Sequence, residues 1–156
     1  MVTVEALRSC ELFNGLSDEE MEQIAAFAVV ETYQAGKQIF AERQVADRLF
    51  ILSSGRVQMQ IHLGSSLRPD REVTVEEVEP GRIFGWSSLV TQQRFTASAR
   101  ALEPVTAVAV EPADLNALFD RNPHIGFVVM KQLANVVASR LSRTRQRLEQ
   151  QEASEG

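Results

Sequence analysis

From Val29 to Glu111 the chain is written in short β-branched and aromatic runs, each closed by glycine, proline or polar residues. VVETY (29–33), KQIFAE (37–42), RLFILSS (48–54) and RVQMQIHL (56–63) are separated by Ala35-Gly36, by a polar stretch and by Gly55. EVTVEEVEP (72–80), TASARALEP (96–104) and VTAVAVE (105–111) complete the set. Runs of this length and composition are strands, and their order predicts an antiparallel meander. Val57, Met59 and Ile61 alternate with Arg56, Gln58, Gln60 and His62, so one face of that strand meets water and the other a core. The stretch from Gly64 to Arg71 reads as a polar loop. Several short strands at regular spacing must curl to cover a common apolar face, which gives a sandwich or barrel.

Helical periodicity frames this β section. Residues 3 to 10 read as a short helix, and Ser17 followed by Asp18-Glu19-Glu20 as an N-cap with acids in its first turn, ahead of Met21, Ile24, Ala25 and Ala28. After Glu111, Pro112 suits a first helical position and Leu115, Leu118 and Phe119 share one stripe, which Asn122-Pro123 ends. A long helix then runs from His124 to about Glu152, with Met130, Leu133, Val137, Leu141, Thr144 and Leu148 stepping by three or four. Its first half is broadly apolar and is expected to pack on the barrel. Its second half is narrow and charged, and is expected to project as a homodimer seam formed by those six residues. The chain therefore reads as one domain over 1–156: N-terminal helices at 1–28, a β-barrel at 29–111 and C-terminal helices at 112–152.

Composition removes several function classes. A formal charge of −5 argues against general affinity for nucleic acid or anionic membrane. The strongest basic run, Arg140-Leu141-Ser142-Arg143-Thr144-Arg145-Gln146-Arg147, spreads its arginines around the helix without aromatic residues to stack on bases, and reads as a solvated, dimer-flanking surface. The single cysteine, Cys10, makes no intramolecular disulfide, and His62 and His124 stand apart, so no metal is expected and a reducing cytoplasm is the natural compartment. No run of about 18 apolar residues and no basic-then-apolar leader occurs, so no membrane span is expected. Nucleophile elbow, P-loop, His-Glu-x-x-His and Cys-x-x-Cys are all absent, and the chain is read as a non-enzyme with no catalytic residues.

The order of elements and their punctuation resembles the cyclic-nucleotide-binding domain family, the effector domain of catabolite-activator-type regulators. Leu12-Phe13 with Leu16-Ser17 is similar to the family's opening, and Ala35-Gly36-Lys37-Gln38-Ile39-Phe40 to its glycine turn. Leu49-Phe50-Ile51-Leu52-Ser53-Ser54-Gly55-Arg56-Val57 is similar to its hairpin, and Pro80-Gly81 with Phe84-Gly85 to the approach to its phosphate cassette. The resemblance covers roughly residues 12 to 148. It implies a β-barrel of jelly-roll type (a double-stranded β-helix) with short N-terminal helices and a long C-terminal one. It further implies a regulatory role in signal transduction, with cyclic AMP or cyclic GMP as ligand and no other cofactor. Regulators of this type follow the long helix with a DNA-reading helix-turn-helix; these 156 residues hold none, so direct nucleic-acid binding is not expected.

The candidate ligand site follows from the cassette: Phe84, Gly85, Trp86, Ser87, Ser88, Arg94, Thr96 and Ala97. Gly85 would let the backbone approach a phosphate, and a short helix from Trp86 would offer unpaired N–H groups. The resemblance places a ribose-binding glutamate where Trp86 stands and a phosphate-binding arginine where Phe95 stands. Arg94, one residue earlier, is the nearest guanidinium, and serves only if the loop Thr91-Gln92-Gln93 is shortened and Phe95 bulges out. Loss of a charge-assisted phosphate contact costs about 1.5–3 kcal/mol and loss of the ribose acceptor roughly 1 more, a hundredfold or more in affinity. The expectation is a sensor or adaptor module that binds cyclic nucleotide weakly or not at all. The alternatives are a true receptor anchored by Arg94 and a structural module gripped at its helix tail by a protein partner.

Overall fold

The computed structural model describes residues 2–64, 71–90 and 94–155. Most of the Gly64–Arg71 loop and all of Thr91-Gln92-Gln93 therefore lie outside the described residues.

Among the described residues, eight strands form two four-stranded antiparallel sheets. The first has the order β1 (Val29–Tyr33), β8 (Val105–Val110), β3 (Leu49–Ser54) and β6 (Ile83–Phe84). The second has the order β2 (Gln38–Phe40), β7 (Ser98–Ala101), β4 (Val57–His62) and β5 (Glu72–Val78). This is the jelly roll expected, but not a meander, because only β4 and β5 pair with a sequence neighbour. The reason lies in β3 and β8, which are apolar on both faces. Phe50, Leu52, Val105, Ala107 and Ala109 point between the sheets, while Leu49, Ile51, Val108 and Val110 point to the helices. Strands buried on both sides take central places with a partner on each edge, and a local hairpin order would leave them at an edge.

Gly55 carries the chain from β3 in one sheet to β4 in the other. Its φ is +94°, and an added Cβ would lie 2.3 Å from the Pro104 carbonyl oxygen, so glycine alone fits this crossing.

The helices cover the outer face of the first sheet. Thr3 caps α1 (Val4–Arg8), shorter than the 3–10 expected, and Ser17 forms a full capping box with Glu20 at the start of α2 (Asp18–Ala25). A one-turn helix, α3 (Ser87–Val90), follows β6. Pro112 opens α4 (Pro112–Arg121), and α5 (Pro123–Glu155) runs 33 residues, about 50 Å at helical rise. Ile125, Val129, Leu133 and Val136 of α5 join Leu7, Leu12, Phe13, Ile24, Leu115 and Leu118 in the core under the first sheet.

Cys10 belongs to the same core, where burial pushes its thiol up to about 12. It is expected to stay unreacted with a disulfide reagent at pH 8 until the protein unfolds; rapid labelling of the native protein would contradict this packing.

Candidate functional site

A cavity of about 260 Å³ opens between the second sheet and α5. Phe40 of β2, Met59 and Ile61 of β4, and Val75 of β5 line it from the sheet, as the period-2 alternation of those strands requires. Gly85, Trp86 and Ser87, at the turn from β6 into α3, close one end together with Phe95, Thr96 and Ala97 before β7. Val137, Arg140, Leu141 and Thr144, one helical face of α5, form the remaining wall.

The structure thus gathers five of the eight candidate ligand residues: Gly85, Trp86, Ser87, Thr96 and Ala97. Gly85 has φ +76°, and an added Cβ would press on the Arg48 carbonyl oxygen and a Phe95 ring carbon, each at 3.2 Å. Trp86 is half-buried and packs on the helical core, while Thr96 is exposed at the rim. The other three face elsewhere. Phe84 is buried between the sheets with its ring centroid 4.9 Å from Phe50, and Ser88 spends its hydroxyl donating to the Gly85 carbonyl at 2.8 Å. Arg94 lies off the wall: its guanidinium donates to the Arg43 carbonyl at 2.8 Å, and its backbone bridges to Val45.

Phe95 turns inward at the position where the family resemblance implies an arginine. It is 3% exposed, and its ring stacks on Phe40 with centroids 3.7 Å apart. Phe40 in turn reaches Phe50 and Phe84 at 5.8 and 6.1 Å, so this end of the cavity is backed by four packed phenyl rings.

The cyclic nucleotide-binding domain family model matches residues 30–122, the β section from the second residue of β1 onward and the first C-terminal helix. The chain belongs to that family. As a cyclic nucleotide-binding domain it is 32% identical to the cyclic AMP receptor protein of Thermus thermophilus over 136 residues, 86% of this chain and 59% of that protein. It thus spans about three-fifths of that relative's length. A solved protein of Geobacter metallireducens described as cyclic nucleotide-binding is 36% identical, with a TM-score of 0.75 over 90% of this chain and 99% of the other. A cyclic nucleotide-binding domain from Methylobacillus flagellatus shares the fold at a TM-score of 0.81 and 20% identity, over 95% and 81% of the two chains.

The wall of this domain also holds a buried ion cluster that the sequence reading missed. Arg140 was expected on a solvated surface and is instead only 5% exposed. Its Nη2 donates to Glu11 Oε2 at 2.8 Å and its Nε meets Glu76 Oε1 at 2.9 Å. Glu11, between α1 and α2, also accepts from the Ile83 backbone N–H at 2.8 Å and from Arg82 at 3.2 Å. One carboxylate thus ties the N-terminal segment, β6 and α5 together. Burial lowers the Arg140 pKa from its usual value, and burial likewise raises that of Glu76, despite the ion pair between them.

Of the six residues expected along a dimer seam, Leu133 is a correction: it is 1% exposed and packs in the chain's own core. It sits on the same face as Ile125 and Val129, eight and four residues back, and that face meets the sheet. Val137 is half-buried on the cavity wall, and the Thr144 hydroxyl lies 3.4 Å from the Val75 carbonyl. Met130 is 39% and Leu141 70% exposed, and Leu148 is half-buried. No helix among the described residues is long and apolar enough to cross a membrane.

Proposed function

We propose that this chain is a non-enzymatic, cytoplasmic regulatory module that uses the cyclic nucleotide-binding fold as a sensor or adaptor while binding cyclic AMP and cyclic GMP weakly or not at all. The observation that carries the reading is Phe95, buried against Phe40 where a phosphate would need a cation, with Arg94 bonded to a backbone carbonyl outside the wall. An anion placed against phenyl rings loses its hydration without a compensating charge. Trp86 occupies the place of the ribose acceptor, which removes a second contact.

The signal would travel through α5, because that helix supplies Val137, Arg140, Leu141 and Thr144 to the cavity wall. An occupant favouring one position of α5 over another shifts the balance between them. The same helix exposes Phe127 and Met130, and these support a homodimer seam on its outward face.

Thermal melting with added nucleotide tests the reading. At about 1 mM ligand, a receptor with a Kd near 10 µM gains about 2.7 kcal/mol, which raises the melting temperature by roughly 5–10 °C. The expected shift is below about 1 °C for either nucleotide; a rise of several degrees would mean a working receptor.

A further inference from the structure

The cavity is built for an occupant of a different chemical class, and we infer that it takes a neutral, flat, two-ring apolar molecule. The inference rests on the reading that cyclic nucleotides do not fill it. Phe40 and Phe95 stack face to face at one end, and Met59, Ile61 and Trp86 surround the space beyond them. Ile61, Val75 and Trp86 are only half-buried, so apolar surface is left for an occupant to cover. An apolar cavity of about 150 Å³ accepts benzene, and one of 260 Å³ has room for a second fused ring.

Charge sets the class. Among the described residues, the only ionisable groups on the wall are Glu76 and Arg140, and they face each other at 2.9 Å. Arg140 is also bonded to Glu11, which pairs with Arg82 as well, so the Arg140 charge is already shared between two carboxylates and an incoming anion must compete with both for it. A neutral molecule escapes that cost and needs at most one hydrogen-bonding group, which Thr96 at the exposed rim can meet.

The test is calorimetric titration at pH 7 with 2-naphthol, with 2-naphthoate as its anionic twin, and with cyclic AMP. Binding of 2-naphthol with a Kd on the order of 10–100 µM is expected, with 2-naphthoate at least about tenfold weaker. Ala97→Phe and Ile61→Trp, which fill the cavity from two different walls, should each abolish naphthol binding while cooperative melting is kept. The inference is overturned if 2-naphthoate binds as tightly as 2-naphthol, if 2-naphthol gives no heat at about 1 mM, or if a folded filling variant binds it unchanged. Micromolar binding of cyclic AMP would instead overturn the proposed function, so the two failures are distinguishable.

Discussion

Arg140→Met is expected to destabilise the protein by about 3 kcal/mol, because two largely buried carboxylates lose their shared cation and Glu11 keeps only Arg82, at 3.2 Å. Glu11 and Glu76 are 15% and 18% exposed at the side chain, so water replaces little of what is lost. For a chain of this size the melting temperature should fall on the order of 10 °C. Adding Glu11→Gln and Glu76→Gln to the same protein should recover much of that loss, since neutral groups need no counter-charge. The deficit should also depend on pH. The Glu76 pKa is already raised by burial and loses the lowering influence of Arg140 in the variant. A group with a raised folded pKa contributes stability below its unfolded value and loses it as pH rises through the folded one. The variant should therefore be weakest near neutral pH and regain stability as pH falls toward 4.5, the ordinary glutamate value. Chemical denaturation across that range checks both the size and the sign. A deficit under about 1 kcal/mol would mean that the cluster is effectively solvated.

Phe50→Ala is the second large effect. The ring is 1% exposed and lies between Phe40 and Phe84, at 5.8 and 4.9 Å, in the space between the sheets. Removing it leaves a cavity ringed by central strands that cannot collapse, at a cost of about 3–5 kcal/mol. Phe95→Ala should cost less than Phe50→Ala. One side of Phe95 already borders the open cavity, so the truncation enlarges existing space and creates little closed void. Urea melts of the two variants should rank Phe50→Ala as the less stable; the reverse order would contradict the placement of Phe95 on the cavity wall.

The contrast between the two phenylalanines shows what a sequence can disclose. The strand runs from VVETY to VTAVAVE, the Ser17 capping box and the break at Asn122-Pro123 are local signals, and all recur in the structure. Pairing between distant strands leaves no local mark, so the order β1-β8-β3-β6 was misread as a meander. A clue lay in LFILSS and VTAVAV, whose unbroken apolar runs already required burial on both faces.

The site was legible to the extent that its chemistry lies in one segment. Gly85, Trp86, Ser87, Thr96 and Ala97 come from the stretch around α3, whereas Phe40, Met59 and Val75 arrive from strands that sequence marks only as inward-facing. Arg140 was misread because its neighbours Arg143, Arg145 and Arg147 suggested a solvated run. Its phase tells otherwise, since Ile125, Val129, Leu133, Val136 and Arg140 step by four, four, three and four along one buried face. Glu11 carried no signal at all, being one acid between Cys10 and Leu12 whose partners lie 71 to 129 residues away.

Titration calorimetry of the wild-type protein with cyclic AMP and cyclic GMP, beside Arg94→Ala, tests most directly whether an aromatic floor has replaced the phosphate site. The account predicts no measurable heat for either nucleotide at about 100 µM, in the wild type and the variant alike. A micromolar Kd in the wild type that disappears in Arg94→Ala would contradict it, and would make Arg94 the anchor of a working receptor.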